Sequence, residues 1–426
     1  MPAAARTAGL KLPLLVLLLG VAMAAAACGD GGGSPASASP TPTAPHSASA
    51  SPASTSPTST SPTASPTGAQ TRSAASACVE RTLAGMSTAQ RVGQLFMSAV
   101  SSSGPTAAQL QVLRQGQVGS VILMGHTEAG SRAVRAGTDR VQALAPTVAG
   151  SRVGLLVGVD QEGGQIQVLG GPGFSAMPSA AEQGGWPTAL LQGRAATWGR
   201  QLAQAGVQLD LAPVVDVVPA EETSVNEPIG RLARGFGSTP GTVARQSSAF
   251  VRGLRQSGVL STLKHFPSLG HVQGNTDFAA NVVDNVTGPD GDFVLPYRSG
   301  IQAGAQFVMV ALATYTRIDP RHPAVFSPTV VRGLLRGTIG FQGVVVSDDL
   351  GNAASVRSVP AGQRATGFLA AGGDLVLTVD PATVGAMTAA VLAEVNRDPA
   401  FRKGVDASVR RVLTAKLAAG LLTCPH

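Results

Sequence analysis

Eight short, mostly apolar runs follow Cys78, and they limit the fold of this chain more than any other feature. They are Val92–Val100, Val118–Met124, Val153–Val159, Val207–Val217, Gly258–His265, Phe307–Thr314, Gly343–Ser347 and Asp374–Val379. A strand with one wet face alternates apolar and polar residues, whereas a strand covered on both faces is apolar throughout. Between the runs lie stretches of helical composition, among them Thr188–Ala205, Pro240–Gln256, Ser327–Gly337 and Thr383–Asn396. Strand alternating with helix predicts a parallel sheet, and eight such strands predict a single (β/α)8 TIM-type barrel, an α/β fold. An open doubly wound sheet is the competing arrangement. It is weakened because no Gly-rich phosphate loop follows the early strands.

In a barrel of this kind the chemistry sits where the strands end. The third run ends in Asp160-Gln161-Glu162-Gly163-Gly164, the fifth in Lys264-His265 and the seventh in Ser347-Asp348-Asp349, while the fourth leads into a loop with Asn226, Arg231 and Arg234. Lysine is seldom fully buried without a partner, so a strand ending in Lys264 marks a polar pocket. Converging acids and bases suit a sugar or phosphate site better than a barrel held by packing alone. Several neighbours have simpler expected roles. Asp349 suits a helix N-cap, Asp216 the pairing of nearby backbone groups, Arg231 a solvated loop, His126 a surface loop, and Gly163 and Gly164 a turn.

The start of the chain reads differently. Arg6 and Lys11 precede the apolar stretch Leu12 to Ala27, the pattern of a secretory signal over residues 1–27. Ala25-Ala26-Ala27-Cys28 resembles a bacterial lipobox, with Ala25 where Leu is usual, so Cys28 is the expected lipidation site and ordinary cleavage the alternative. Residues 28–77 are mostly Ser, Thr, Pro, Ala and Gly, too polar to bury a core, and are expected to form a disordered tether. The barrel domain is expected over residues 78–426. Of three cysteines, lipidation of Cys28 would leave Cys78 and Cys424 to form a disulfide in an oxidising compartment; two separate thiols are the other outcome. An exported protein, lipid-anchored at the cell membrane and facing the cell wall, is therefore expected, with free secretion as the alternative.

The formal charge of +7 becomes +5 once Arg6 and Lys11 leave with the signal. Aromatic residues make up only 4% of the chain and no basic run is interleaved with them, so nucleic-acid binding has little support. No metal-ligand cluster stands out and no cofactor is called for. The protein is expected to be a monomer, with a carbohydrate or a phosphate compound in its pocket.

Five stretches in order carry a family resemblance: Gly158-Val159-Asp160-Gln161-Glu162-Gly163-Gly164, Leu211 to Val217, Arg234-Gly235-Phe236-Gly237, Lys264-His265-Phe266-Pro267 and Val346-Ser347-Asp348-Asp349-Leu350. From about Met86 to Leu422 the chain resembles glycoside hydrolase family 3, in particular its single-domain β-N-acetylglucosaminidases acting on peptidoglycan fragments. The resemblance implies retaining hydrolysis of an O-glycosidic bond through a covalent intermediate on Asp348. It implies that Asp160, Arg234, Lys264 and His265 bind the hydroxyls of the sugar whose bond is cut. N-acetylglucosamine specificity rests on the resemblance alone; glucose or xylose remain open.

The chain departs from the family in the loop after Lys264. The family pattern there ends in Asp-Ser-His, supplying an imidazole acid/base held by a carboxylate. Aligned without gaps this chain has Asn275-Thr276-Asp277, with Asp277 in place of the imidazole, whereas a gapped alignment keeps Asp277 as the orienting carboxylate and puts Ala279 where the His belongs. Gln165 stands where an Arg is usual after the Glu-Gly-Gly motif, and Leu312 where a His is common. Three outcomes are open. Asp277 is a carboxylic acid/base, with Asn275 in place of the orienting carboxylate; His271 swings in as the acid instead; or the barrel binds glycans without cutting them.

Overall fold

The computed structural model describes residues 68–424. The expected signal sequence, Cys28 and most of the expected tether lie outside the described residues. Eight parallel strands form the barrel: β1 Phe96–Ser101, β2 Ser120–Met124, β3 Leu156–Val159, β4 Leu209–Asp210, β5 Leu260–Phe266, β6 Phe307–Val310, β7 Val344–Ser347 and β8 Val376–Thr378. Each pairs with the next in sequence, and β8 returns to pair with β1, Phe96 opposite Val376. Val346 opposite Leu375 joins β7 to the start of β8 and closes the ring.

The alternation hidden in the apolar runs now separates into two cores. Met97, Ala99, Ile122, Leu156, Leu209, Met309, Val344 and Val346 belong to a cluster inside the barrel. Their neighbours Phe96, Val100, Val121, Val157, Val308 and Val345 join the shell beneath the helices. Burial on both faces explains why the runs are mostly apolar and do not alternate with polar residues.

Some boundaries differ from expectation for local reasons. Val92 to Gln94 finish the helix Thr88–Gln94, started by a capping box between Ser87 and Gln90, so β1 begins only at Phe96. The fourth run keeps just two strand residues. Pro213 has no N–H to offer a ladder, and beyond it pairing survives only as the bridge Val214–Lys264. The sixth run breaks after Val310 and resumes as a separate short strand, Thr314–Tyr315. The first helix, Gly68–Gly85, begins inside the stretch expected to be tether. It buries Cys78, Val79 and Leu83, and its Glu80 pairs with Arg410 of the last long helix, Pro399–Ala418. Cys78 and Cys424 are joined as a disulfide, with Cα atoms 6.0 Å apart.

That last helix plugs the foot of the barrel, where Val412, Ala415 and Leu421 join the inner cluster. It also carries Lys416, fully buried there, donating to Gln94 Oε1 at 2.5 Å and to the Gly119 carbonyl at 2.7 Å. Among the described residues no carboxylate pairs with it, and burial pulls its amine down from 10.5 to about 7. The unfolded chain therefore holds a proton on Lys416 that the folded chain gives up between those two values. Unfolding free energy is expected to rise with pH across that window, by up to about 1.4 kcal/mol per unit. Denaturant melts at pH 7, 8 and 9 check this, and Lys416→Met should flatten the profile.

Candidate active site

All the strand-end residues named above meet at one end of the barrel. A cavity of about 660 Å³ opens there, lined by Asp160, Arg234, Lys264, His265, Asp277 and Asp348 among others. Asp348 follows β7 directly, and its N–H donates to the Val310 carbonyl at the end of β6 (3.1 Å). The two neighbouring strands thus fix where its carboxylate emerges. Asp349 ties off the next turn, its carboxylate accepting from the N–H groups of Gly351, Asn352 and Val379, at 2.8, 2.8 and 2.9 Å. Its capping role is as expected, but it caps a turn and the end of β8, not a regular helix.

The floor is an ion network. Lys264 Nζ lies 2.5 Å from Asp160 Oδ1 and 2.6 Å from Glu162 Oε1, and Arg234 grips Glu162 with two bonds of 2.8 and 2.7 Å. Burial opposes the charge on Glu162, but Arg234 and then Lys264 outweigh it and hold the carboxyl at about 2. Lys264 is likewise penalised by burial, and Asp160 and Glu162 more than offset that, so its pKa is raised. A charged floor is stable here only because every charge has a partner. Glu162 is the site residue that sequence reasoning missed. In an extended segment, residues two apart share a face, so Asp160 already implied it. Gly163 and Gly164 turn the chain just beyond, at φ +101° and +58°, and a Cβ on Gly163 would lie 2.2 Å from the Pro178 carbonyl.

His265 is oriented by Asp216. Its Nδ1 lies 2.8 Å from Asp216 Oδ2, while Asp216 Oδ1 accepts from the N–H groups of His265 (3.2 Å) and Leu269 (2.7 Å). The backbone role expected for Asp216 is present, with imidazole positioning added to it. His265 Nε2 has no protein partner among the described residues. Arg231 pairs with Glu227 in an exposed i,i+4 contact, the solvated role expected of it. His126 is exposed, as expected, yet also lines the cavity, bonded through Nε2 to Glu128 at 2.8 Å.

The loop after β5 brings in Asp277. Asn275 also lines the cavity, but its Oδ1 accepts from the Asp277 N–H (2.9 Å), so it shapes the turn and does not hold the Asp277 side chain. Two backbone bonds fasten this turn to the segment after β7: Ala354 N–H to the Asp277 carbonyl (3.1 Å) and Ser355 N–H to the Thr276 carbonyl (3.2 Å). Lost hydration in the cleft, then the charge of Asp348, push the Asp277 carboxyl up to about 6, against the pull of His265 and Arg234. Asp277 and Asp348 are therefore electrostatic neighbours across one cavity.

His271 does not join them. The side-chain amide of Asn226 donates to the carbonyls of Leu269, Gly270 and Val272, which holds this part of the loop against the barrel. His271 is left beside Glu222, at 3.1 Å, lining a different cavity with Ser268 and Phe293. That geometry places it in a different cavity from Asp348. Among the described residues no group of three His, Cys, Asp or Glu side chains is arranged to hold a metal ion.

Known proteins share both sequence and architecture. The profile of the glycosyl hydrolase family 3 N-terminal domain matches residues 87–415. A β-hexosaminidase of Stenotrophomonas maltophilia (strain K279a) is 33% identical over 301 residues, 68% of this chain and 84% of that protein. The crystal structure of a β-N-acetylhexosaminidase from Beutenbergia cavernae DSM 12333 superposes with a TM-score of 0.76 at 46% identity, covering 78% of this chain and 98% of that one. A family 3 β-N-acetylglucosaminidase from Paenibacillus sp. str. FPU-7 gives 0.71 at 28% identity, covering 79% of this chain and 63% of that one. The chain belongs to glycosyl hydrolase family 3, and its barrel is that of a glycosidase.

Proposed function

We propose that the protein is a retaining β-N-acetylhexosaminidase, with Asp348 as nucleophile and Asp277 as acid/base. The observation that carries this reading is the pair of carboxyl groups on one cavity, one of them pushed up to about 6. Retaining hydrolysis needs such a division of labour between two groups. In the first step Asp348 attacks the anomeric carbon while Asp277 gives its proton to the departing oxygen. In the second, Asp277 takes a proton from water, whose oxygen displaces Asp348 and restores both groups. Asp160, Lys264, His265 and Arg234 would hold the hydroxyls of the ring. The N-acetyl preference rests on the related enzymes, since no side chain here singles out an acetamido group.

Leaving groups test the acid. An aryl β-N-acetylglucosaminide needs little protonation, whereas a disaccharide needs a full proton. Asp277→Ala is expected to slow the disaccharide by about 10²–10⁴-fold and the aryl substrate far less. Since the acid must be protonated, wild-type turnover of the disaccharide should fall as pH rises through about 6. Equal losses on both substrates would remove Asp277 from the acid role. Sugar binding with no aryl turnover at all would leave a glycan-binding protein.

We further propose that Cys28 is lipidated, that the stretch between Cys28 and the first helix tethers the barrel to the outer face of the membrane as a monomer, and that the substrates are glycans derived from peptidoglycan. The lipobox-like Ala25-Ala26-Ala27-Cys28 and the Ser/Thr/Pro-rich stretch support this. Intact mass of the membrane fraction tests it: Cys28→Ser should abolish the lipid increment and release the protein.

A further inference from the structure

Three consecutive outer helices, Thr188–Gln204, Pro240–Gln256 and Val294–Ala303, lie side by side on one flank, the middle one packed against both others. None of them contains an Asp or Glu, and together they carry Arg194, Arg200, Arg245, Arg252, Arg255 and Arg298. All six are exposed, and none is among the arginines that form ion pairs within the described residues. Their protein contacts are few and neutral. Arg245 donates to Thr242 Oγ1 (3.2 Å), Arg252 to Gln192 Oε1 (3.2 Å) and Arg298 to the Thr338 carbonyl (3.2 Å). A guanidinium has five N–H donors, so most remain available.

Three of these side chains share a groove. Arg245, Arg252 and Arg255 line a cleft of about 660 Å³ between the second and third helices, with Ser248, Ser299 and Gln302 and no carboxylate. Arg245 and Arg255 are ten residues apart on one helix, about 15 Å along its axis. That is longer than one small anion and suits a row of them. Guanidinium groups bind phosphate oxygens in paired bonds. The shape favours a chain over a bilayer. The site is a shallow, open trough, and the large apolar side chains exposed on these helices are two single leucines, Leu190 and Leu295, not a wedge that could enter lipid.

We propose that this flank is a docking groove for a flexible polyanion, a soluble chain bearing phosphodiester or phosphate groups at intervals. The middle helix runs from the rim of the barrel back to its foot, as the β/α topology requires, so a docked chain would lie along the wall and leave the mouth open. Docking would hold the enzyme beside an anionic polymer without competing with the sugar.

Long-chain inorganic polyphosphate is the probe, titrated against the folded protein over a range of salt. Binding is expected, with log affinity falling linearly in log salt. The triple variant Arg245→Gln, Arg252→Gln, Arg255→Gln should bind at least about tenfold more weakly and lose about 2–3 from the salt slope. Its melting temperature and aryl-glycoside turnover should match the wild type, since none of the three touches the active-site cavity. A control removing equal charge elsewhere, Arg114→Gln, Arg132→Gln, Arg321→Gln, should change affinity by no more than about twofold. Equal loss in both triples would reduce the effect to diffuse charge and overturn the groove. So would absence of polyphosphate binding, or binding only to vesicles rich in anionic lipid.

Discussion

Asp348→Asn is expected to fold normally and to lose turnover on the order of 10⁴-fold or more, on aryl and natural substrates alike. An amide cannot form the covalent intermediate, and a better leaving group does not replace a missing nucleophile. This separates Asp348 from Asp277, whose loss should depend strongly on the leaving group. Asp348→Gly with added azide provides the positive control: the small anion can enter from the vacated side, and an α-glycosyl azide should accumulate. Rapid-quench mass spectrometry of the wild type should find one sugar on the peptide containing Asp348. A label on any other carboxylate would transfer the role to that residue.

Lys264→Met should have the largest effect on stability, about 3–5 kcal/mol, because it leaves Asp160 and Glu162 facing each other without their shared cation. The pH dependence should change sign. In the wild type Glu162 is held at about 2, below its ordinary 4.5, so its contribution is present above 4.5 and is lost as pH falls toward 2. In the variant the same carboxylates are held with less compensation, and moderate acid should stabilise the protein by protonating one of them. Adding Glu162→Gln to Lys264→Met should recover part of the loss, since the pair share one network and their effects do not add. Chemical denaturation between pH 4 and 8 measures both points. A variant that loses stability in acid as the wild type does would show that the charges are not coupled.

The barrel was legible because its strands are covered on both faces, which leaves continuous apolar runs such as Val153–Val159. Strand ends were legible too, since a Lys264 or Asp348 closing an apolar run has few places to go except the mouth. What could not be read depended on contacts distant in sequence. The placement of His271 away from the cavity of Asp348 follows from Asn226, more than forty residues earlier, gathering three carbonyls of its loop. Lys416 looked like any helical lysine until the last helix proved to plug the barrel foot. The length of β4 was overstated because an apolar run does not reveal where a proline stops the ladder, as Pro213 does here.

The disulfide between Cys78 and Cys424 spans 346 positions of sequence and so makes almost the whole barrel one covalent circle. A protease cutting any loop of that circle produces no separate fragment, only an opened ring whose halves stay joined through sulfur and through the packed strands. The same clasp governs mechanical load. A pull arriving from the N-terminal side passes at Cys78 directly into the C-terminal end of the chain, bypassing the strands, so the barrel cannot be unthreaded strand by strand from that end. Under proteolysis or tension, the protein would be protected at the seam where the barrel's two ends meet.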